Sequence, residues 1–254
     1  RYILQQYNQY FKLAFVITRN MQSSRQLLTE ALNFTLMTES SQLTTCFDID
    51  FDYLIYSNII KMGKLQQYND SELIEPNVIS ENKAFFNLGT EDRIILLLRY
   101  QFNLSPVEVA QVLRMEKIRV ISSLNVAKDN LISLDSSNLS FKQLKSNHSC
   151  PNKNLIANFV ENNERELYFK NHINSCGDCS GYFEFFINYI KLIKKMVPSL
   201  NFNSVNSKVI RREITQIIKQ SDSQFLDKSI ISNYIVYPWE RIKNKLSRSE
   251  LIID

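Results

Sequence analysis

Both histidines and three of the four cysteines of this 254-residue chain fall between positions 148 and 179. They are His148, Cys150, His172, Cys176 and Cys179, and the last three spell H-x3-C-x2-C. No other feature constrains the fold as much, because a metal ion held by such residues fixes where distant parts of the chain must meet. A structural zinc takes four nitrogen or sulfur ligands in tetrahedral geometry, about 2.0–2.3 Å from the ion. Cys176 and Cys179, in one turn, supply an edge of that tetrahedron. His172, one helical turn before Cys176, shares its face and supplies a third corner. Cys150, or failing that His148, closes the site from an earlier helix. With four good ligands at hand no position is left open, so the expected Zn2+ is structural rather than catalytic. A disulfide framework is disfavoured, since no stretch resembles a secretory signal and the cysteines are sparse for a staple-dependent fold.

The rest of the chain is expected to be helical. Four glycines and five prolines are too few for turn-rich β architecture, and 44% hydrophobic residues can fill substantial cores. The expected fold is therefore all-α, built of helical bundles in two or three domains. No apolar run reaches the ~18 residues needed to cross a bilayer, so a cytoplasmic chain with no membrane partner is expected. The net charge of +4 divides into −2 over residues 1–80, +2 over 81–145 and +4 over 146–254. No block is strongly basic, as a dedicated nucleic-acid binder usually is. A glycine-rich phosphate loop, a G-x-S-x-G motif and a histidine outside the metal cluster are all missing, so no enzyme activity is expected.

Residues 1–80 read as a small bundle. Leu4, Tyr7, Tyr10, Phe11, Ala14, Phe15 and Thr18 recur at three- and four-residue steps, the mark of an amphipathic helix, and Asn20 is a plausible stop. A second helix is expected from about Ser23, with Leu27, Leu28, Ala31, Leu32 and Phe34 on its buried side. A third follows the acidic stretch Asp48 to Asp52 and runs from Tyr53 to Ile60. The run Phe11 to Asn20, followed by Gln26 to Ala31, resembles the first conserved region of sigma factors of the extracytoplasmic-function type. That resemblance implies a surface for the RNA polymerase core and a role at the −10 element. Two departures stand out: Ser24-Arg25 replaces the usual acidic pair, and the expected aromatic and basic residues do not stand out around positions 53–67.

Residues 81–135 follow a polar linker from Leu65 to Asn82. Thr90 is a good N-cap, with Glu91 and Asp92 in the first turn. Pro106 after Ser105 opens a second helix with Val109, Ala110, Val112 and Leu113 inward. A third carries Ile118, Val120, Leu124, Ala127 and Leu131. Glu91 to Tyr100, then Leu104 to Leu113, closely resemble the helix-turn-helix with which sigma factors read the −35 element. Val120, Leu124, Ala127 and Leu131 match the core positions of its recognition helix. The resemblance covers residues 88–131 and implies promoter DNA as a partner. Where the family has glycine in the turn, this chain has Arg114. Where the family's third helix turns basic residues outward, this chain has Ile121, Ser123 and Val126. Lys117, Arg119 and Lys128 remain as DNA contacts. Because phosphate contacts supply most of the affinity and base readout needs donors, weak DNA binding is expected.

Residues 146–200 open after a Ser/Asn-rich linker, Asp135 to Ser140. Cys150, Leu155, Phe159, Glu166-Leu167, His172, Cys176 and Cys179 together resemble the zinc-binding anti-sigma domain, a helical bundle that wraps a sigma factor. The resemblance implies Cys150, His172, Cys176 and Cys179 as the zinc ligands. The helix from Tyr182 to Val197 carries one apolar stripe (Phe186, Ile190, Ile193, Val197) widened by another (Phe185, Tyr189, Leu192, Met196), which suits a packing face. Residues 201–254 read as a helical extension in which Arg211 and Arg212 lie on a polar face. Three segments in this order imply a sigma-like transcription regulator controlled in cis by its own zinc-binding segment. The alternative is a degenerate sigma-like scaffold that binds protein partners without sequence-specific DNA binding. In either case residues 182–197 are expected to clamp the face carrying Ile121 and Val126, or a separate protein.

Overall fold

The computed structural model describes residues 2–39, 51–66, 82–134 and 167–200, together with 156, 160, 161 and helical residues between 208 and 219. Every regular element among them is an α-helix, so the fold class is all-α. Chain contacts gather residues 1–70 with 201–254 into one compact unit and residues 71–200 into another.

In the first unit α1 (Tyr2–Thr18), α2 (Met21–Glu39) and α3 (Phe51–Leu65) pack pairwise into a bundle. Tyr10, Phe11, Leu13, Ala14, Phe15 and Val16 of α1, Leu27, Leu28, Ala31 and Leu32 of α2 and Ile55 and Ile59 of α3 are all buried in its core. Only Arg19 and Asn20 separate α1 from α2. Arg19 takes the left-handed conformation (φ 56°), which stops α1. Asn20, read from sequence as a stop, instead caps the next helix: its side-chain oxygen accepts from the amides of Gln22 (2.8 Å) and Ser23 (3.0 Å). That cap is why α2 starts earlier than its apolar pattern suggests.

Phe34 corrects the sequence reading, for it is 42% exposed rather than inward. The inward position next to it belongs to Thr35, whose hydroxyl donates to the Ala31 carbonyl (2.7 Å) and accepts from buried Asn58 (2.9 Å). Phe34 is turned to the rim, where the Lys61 ammonium lies 5.8 Å from its ring centre. α3 approaches α1 closely at Gly63, where a Cβ would meet Ile17 Cγ2 at 2.7 Å. Arg211, expected on a solvated face, is exposed but stacks its guanidinium 5.0 Å from the Tyr7 ring centre, and Ile217 is buried.

The second unit holds α4 (Lys83–Phe86), α5 (Thr90–Tyr100), α6 (Pro106–Leu113), α7 (Lys117–Leu134), α8 (Leu167–Ser175) and α9 (Gly177–Met196). α5 begins one residue earlier than its capping pattern implies, with Gly89 as N-cap. The Thr90 hydroxyl is engaged elsewhere, accepting from Arg93 at 3.0 Å. Arg93 is fully buried and also donates to the carbonyls of Leu88 (2.6 Å) and Phe86 (3.3 Å), so its charge is met by backbone dipoles. α6 starts as expected, with a capping box between Ser105 and Glu108 and Pro106 in its first turn. It ends on Arg114 at φ 52°, whose amide bonds Gln111 O (3.3 Å), while the Met115 amide bonds Ala110 O (3.0 Å). This is the Schellman arrangement that ordinarily favours glycine. The turn Arg114–Glu116 then leads into α7, whose Val120, Leu124, Ala127 and Leu131 are buried on α5 and α6.

The segments read separately as 81–135 and 146–200 thus pack within a single unit, with α9 lying against α7. No described helix is long and apolar enough to cross a membrane.

Candidate metal centre

The three residues of the H-x3-C-x2-C motif meet at the joint between α8 and α9. His172 lies in the last turn of α8, Cys176 is the N-cap of α9, and Cys179 stands in the first turn of α9. The joint is rigid for its length: the Cys176 amide bonds His172 O at 2.9 Å and the Ser180 amide bonds Cys176 O at 2.9 Å. This one-residue junction therefore brings His172 before it, Cys176 within it and Cys179 after it to one point.

The ligand atoms of His172, Cys176 and Cys179 all lie within 4.8 Å of one another, and this group can hold a metal ion. His172 Nε2 and Cys179 Sγ are 3.2 Å apart. Ligands sharing one tetrahedral zinc sit roughly 3.4–3.8 Å from each other, given the bond lengths of such sites. The His172–Cys179 approach is slightly closer than that, and the donor chemistry suits an ion. Cys179 is buried and Cys176 half-buried, and neither forms a disulfide. Both stand at the N-terminus of α9, where the helix dipole favours negative charge and hence thiolates. Beneath them lies a small core of Ile156, Ile173 and Cys179, against which Val160, Tyr182 and Phe183 pack. Cys150 and His148, proposed to close the site, lie outside the described residues, as does Cys46.

Helix α9, and the segment of Glu161 that precedes α8, are fastened to α5 and α7 by polar contacts that the sequence does not announce. Glu161 is the centre of them. Its carboxylate accepts from Lys128 and, at 3.1 Å, from the Tyr100 hydroxyl, while its backbone carbonyl accepts from Arg99. Arg99 also donates to Leu104 O (3.1 Å), bracing the loop between α5 and α6. On α9, Tyr189 donates to Asp129 (3.4 Å), and Phe186 offers its ring to Lys128 at 6.0 Å. Gln101 donates to Val197 O at 2.9 Å. Burial raises the Tyr100 hydroxyl far above the usual phenol range, with the adjacent Glu161 charge adding to it and Arg99 opposing. Burial likewise raises Tyr189, with Asp129 next in importance. Both phenols therefore stay protonated as donors.

The three residues read as DNA contacts separate here. Lys117 and Arg119 are exposed at the start of α7, Arg119 with only a 4.0 Å approach to Glu116. Lys128 is buried and held by Glu161, so its charge is not offered to a phosphate in this conformation. The expected clamp also differs in detail. α9 covers α7 on the side of Lys128 and Asp129, whereas Ile121 (37%) and Val126 (53%) stay exposed. Lys128 draws the contact to its own flank because a buried ammonium needs both a carboxylate and an apolar cover. Sequence reasoning missed Glu161 because its partners lie 33 to 62 residues away, beyond any local pattern.

Comparison with known protein families, curated proteins and solved structures returns no match.

Proposed function

We propose that the chain is a sigma-like transcription regulator that binds the RNA polymerase core and is held by its own zinc-binding segment. The observation that carries this reading is the attachment of α9 and Glu161 to α5 and α7 through Lys128, Tyr100, Arg99 and Asp129. Those two helices belong to the stretch that resembles the sigma helix-turn-helix, and the attached segment resembles the anti-sigma domain. In this reading the ion is zinc, held by His172, Cys176 and Cys179 with Cys150 as fourth ligand. Ile156, which packs against Cys179, is six residues beyond Cys150, and such a stretch reaches at most about 20 Å. Metal analysis of the purified full chain is expected to give one zinc per molecule. Pull-down with purified polymerase core tests the regulator directly: retention of the full chain, strengthened by Glu161→Gln, is expected. Absence of retention for both proteins overturns it.

A second reading, a scaffold for protein partners without sequence-specific DNA binding, draws on one observation. The outward face of α7 exposes Ile118, Ile121 and Val126, where reading bases requires hydrogen-bond donors. Filter binding of duplex DNA over a salt series distinguishes the two. A site-specific affinity of ~10⁻⁸ M or tighter at physiological salt would exclude the scaffold.

A further inference from the structure

The exposed face of α7 is unlike the rest of the described surface. Its inward residues, Val120, Leu124, Ala127 and Leu131, are buried, and Lys128 is covered by Glu161 and Phe186. Outward it exposes large apolar residues interspersed with polar Ser122, Asn125 and Asp129: Ile118 is 79% exposed, Val126 53%, Ile121 37%, and Met115 in the preceding turn 40%. At 100° per residue the three helical positions span an arc of about 140°, the width of a helix-packing face. Isolated exposed apolar residues are ordinary, but several on one face mark an interaction surface. Exposed Arg114, Lys117 and Arg119 edge its N-terminal end, with Glu116 the only acid among them.

We propose that this face docks an acidic amphipathic helix of a partner protein, with apolar side chains seated on Ile118, Ile121 and Val126 and carboxylates meeting Arg114, Lys117 and Arg119. Charge decides among occupants. Duplex DNA would meet the three cations at one end but would set its polar groove edges against Ile118, Ile121 and Val126, which give no hydrogen bonds, leaving only Ser122 and Asn125 between them as donors. A second copy of this chain would bring the same surplus of cations to the contact and leave it unmatched. An acidic helix answers both the stripe and the charge, the helix-in-groove mode of recognition with anchors at three- and four-residue steps. The proposal goes beyond the regulator reading and holds whether or not the chain binds polymerase.

The test uses the full chain and two labelled synthetic peptides of about 18 residues, each with the same leucine stripe at helical spacing, one flanked by glutamate and the other by lysine. Fluorescence anisotropy is expected to show the acidic peptide bound at least tenfold more tightly than the basic one, with the preference shrinking as salt rises. Ile118→Asp is expected to weaken the acidic peptide at least tenfold, whereas Leu65→Asp, at an equally exposed leucine of α3, leaves it unchanged. Because Ile118 is mostly exposed, the variant should keep its helical circular dichroism, and the milder Ile118→Ser provides the same comparison if it does not. The proposal is overturned if both peptides bind alike or if Ile118→Asp binds as the parent does. It is equally overturned if labelled duplex DNA binds more tightly than the acidic peptide and is lost in Ile118→Asp. Concentration-dependent dimerisation abolished by that substitution would instead assign the face to a second copy.

Discussion

The α1–α3 bundle and the α8–α9 joint are both helical, yet they are held together by different means. In the bundle, α1 alone buries Tyr10, Phe11, Leu13, Ala14, Phe15 and Val16, and polar contacts such as that of Thr35 on α2 with Asn58 on α3 sit within a core that already closes. At the joint the described core is Ile156, Ile173 and Cys179, and one of those three is itself a metal-ligand candidate. Burying a Leu- or Ile-sized side chain contributes about 1.5–3 kcal/mol, and ordering each residue costs about as much. A bundle with many such residues can fold on that balance, whereas a joint with so few needs ions and long-range polar contacts. The difference teaches that in this chain apolar burial sets the helices and electrostatics sets how the metal-side helices attach.

The largest expected effect attacks the joint. Stripping metal with a chelator, or Cys179→Ser, removes binding energy that is also folding energy, on the order of 10 kcal/mol for structural zinc sites. Amide hydrogen exchange is then expected to lose protection across α8 and the first turns of α9 while α1–α3 keep theirs. Equal loss in both regions would erase the comparison.

Next is the ion pair between Lys128 and Glu161, whose side chains are 3% and 17% exposed. Glu161→Gln leaves a buried ammonium without its anion, at an expected cost of about 3 kcal/mol by chemical denaturation. Lys128→Met in the same chain removes the orphaned charge and is expected to recover most of that loss, since a buried pair often does little better than an apolar substitute. If the double variant is as unstable as the single one, Glu161 acts chiefly through Tyr100 rather than Lys128. The bundle answers with a steric test. Gly63→Ala places a methyl 2.7 Å from Ile17 Cγ2, on a branched side chain with little freedom to retreat. A loss of about 1–3 kcal/mol confined to the first unit is expected.

The same contrast explains what could be read from the chain. Positions such as Leu27, Leu28, Ala31 and Leu32 repeat at the helical period, so the helices and their inward faces follow from local pattern. The candidate metal-binding group was legible for the same reason: His172, Cys176 and Cys179 are close along the chain and are brought together by one helix junction. Phe34 misled because hydrophobicity alone ranks it above Thr35, whereas the threonine can satisfy its hydroxyl inside a helix and pair with Asn58. Lys128 misled because a lysine on an outward-reading helix looks solvated until its distant partner is known. Glu161 gave no local sign, since an acid's burial depends on cations supplied by other helices.

The smallest expected effect compares two arginines that occupy the same backbone conformation. Arg19 ends α1 at φ 56° and Arg114 ends α6 at φ 52°. A residue with a Cβ is strained there by roughly 1–2 kcal/mol, and glycine is not, though glycine regains some of that as chain entropy when unfolded. Arg114 is exposed, so its side chain has little packing to lose, whereas Arg19 is half-buried. Arg114→Gly is therefore expected to stabilise the second unit by about 0.5 kcal/mol, and Arg19→Gly to gain nothing or to lose. Arg114→Ala separates strain from side chain: it keeps the Cβ and removes the guanidinium, so it should not show the gain. Arg114 also edges the α7 face assigned to an acidic helix, so the glycine variant should bind the acidic peptide about twofold more weakly even as it melts higher. Melting curves that rise equally for glycine and alanine would show that the gain comes from removing a surface charge rather than from relieving the turn.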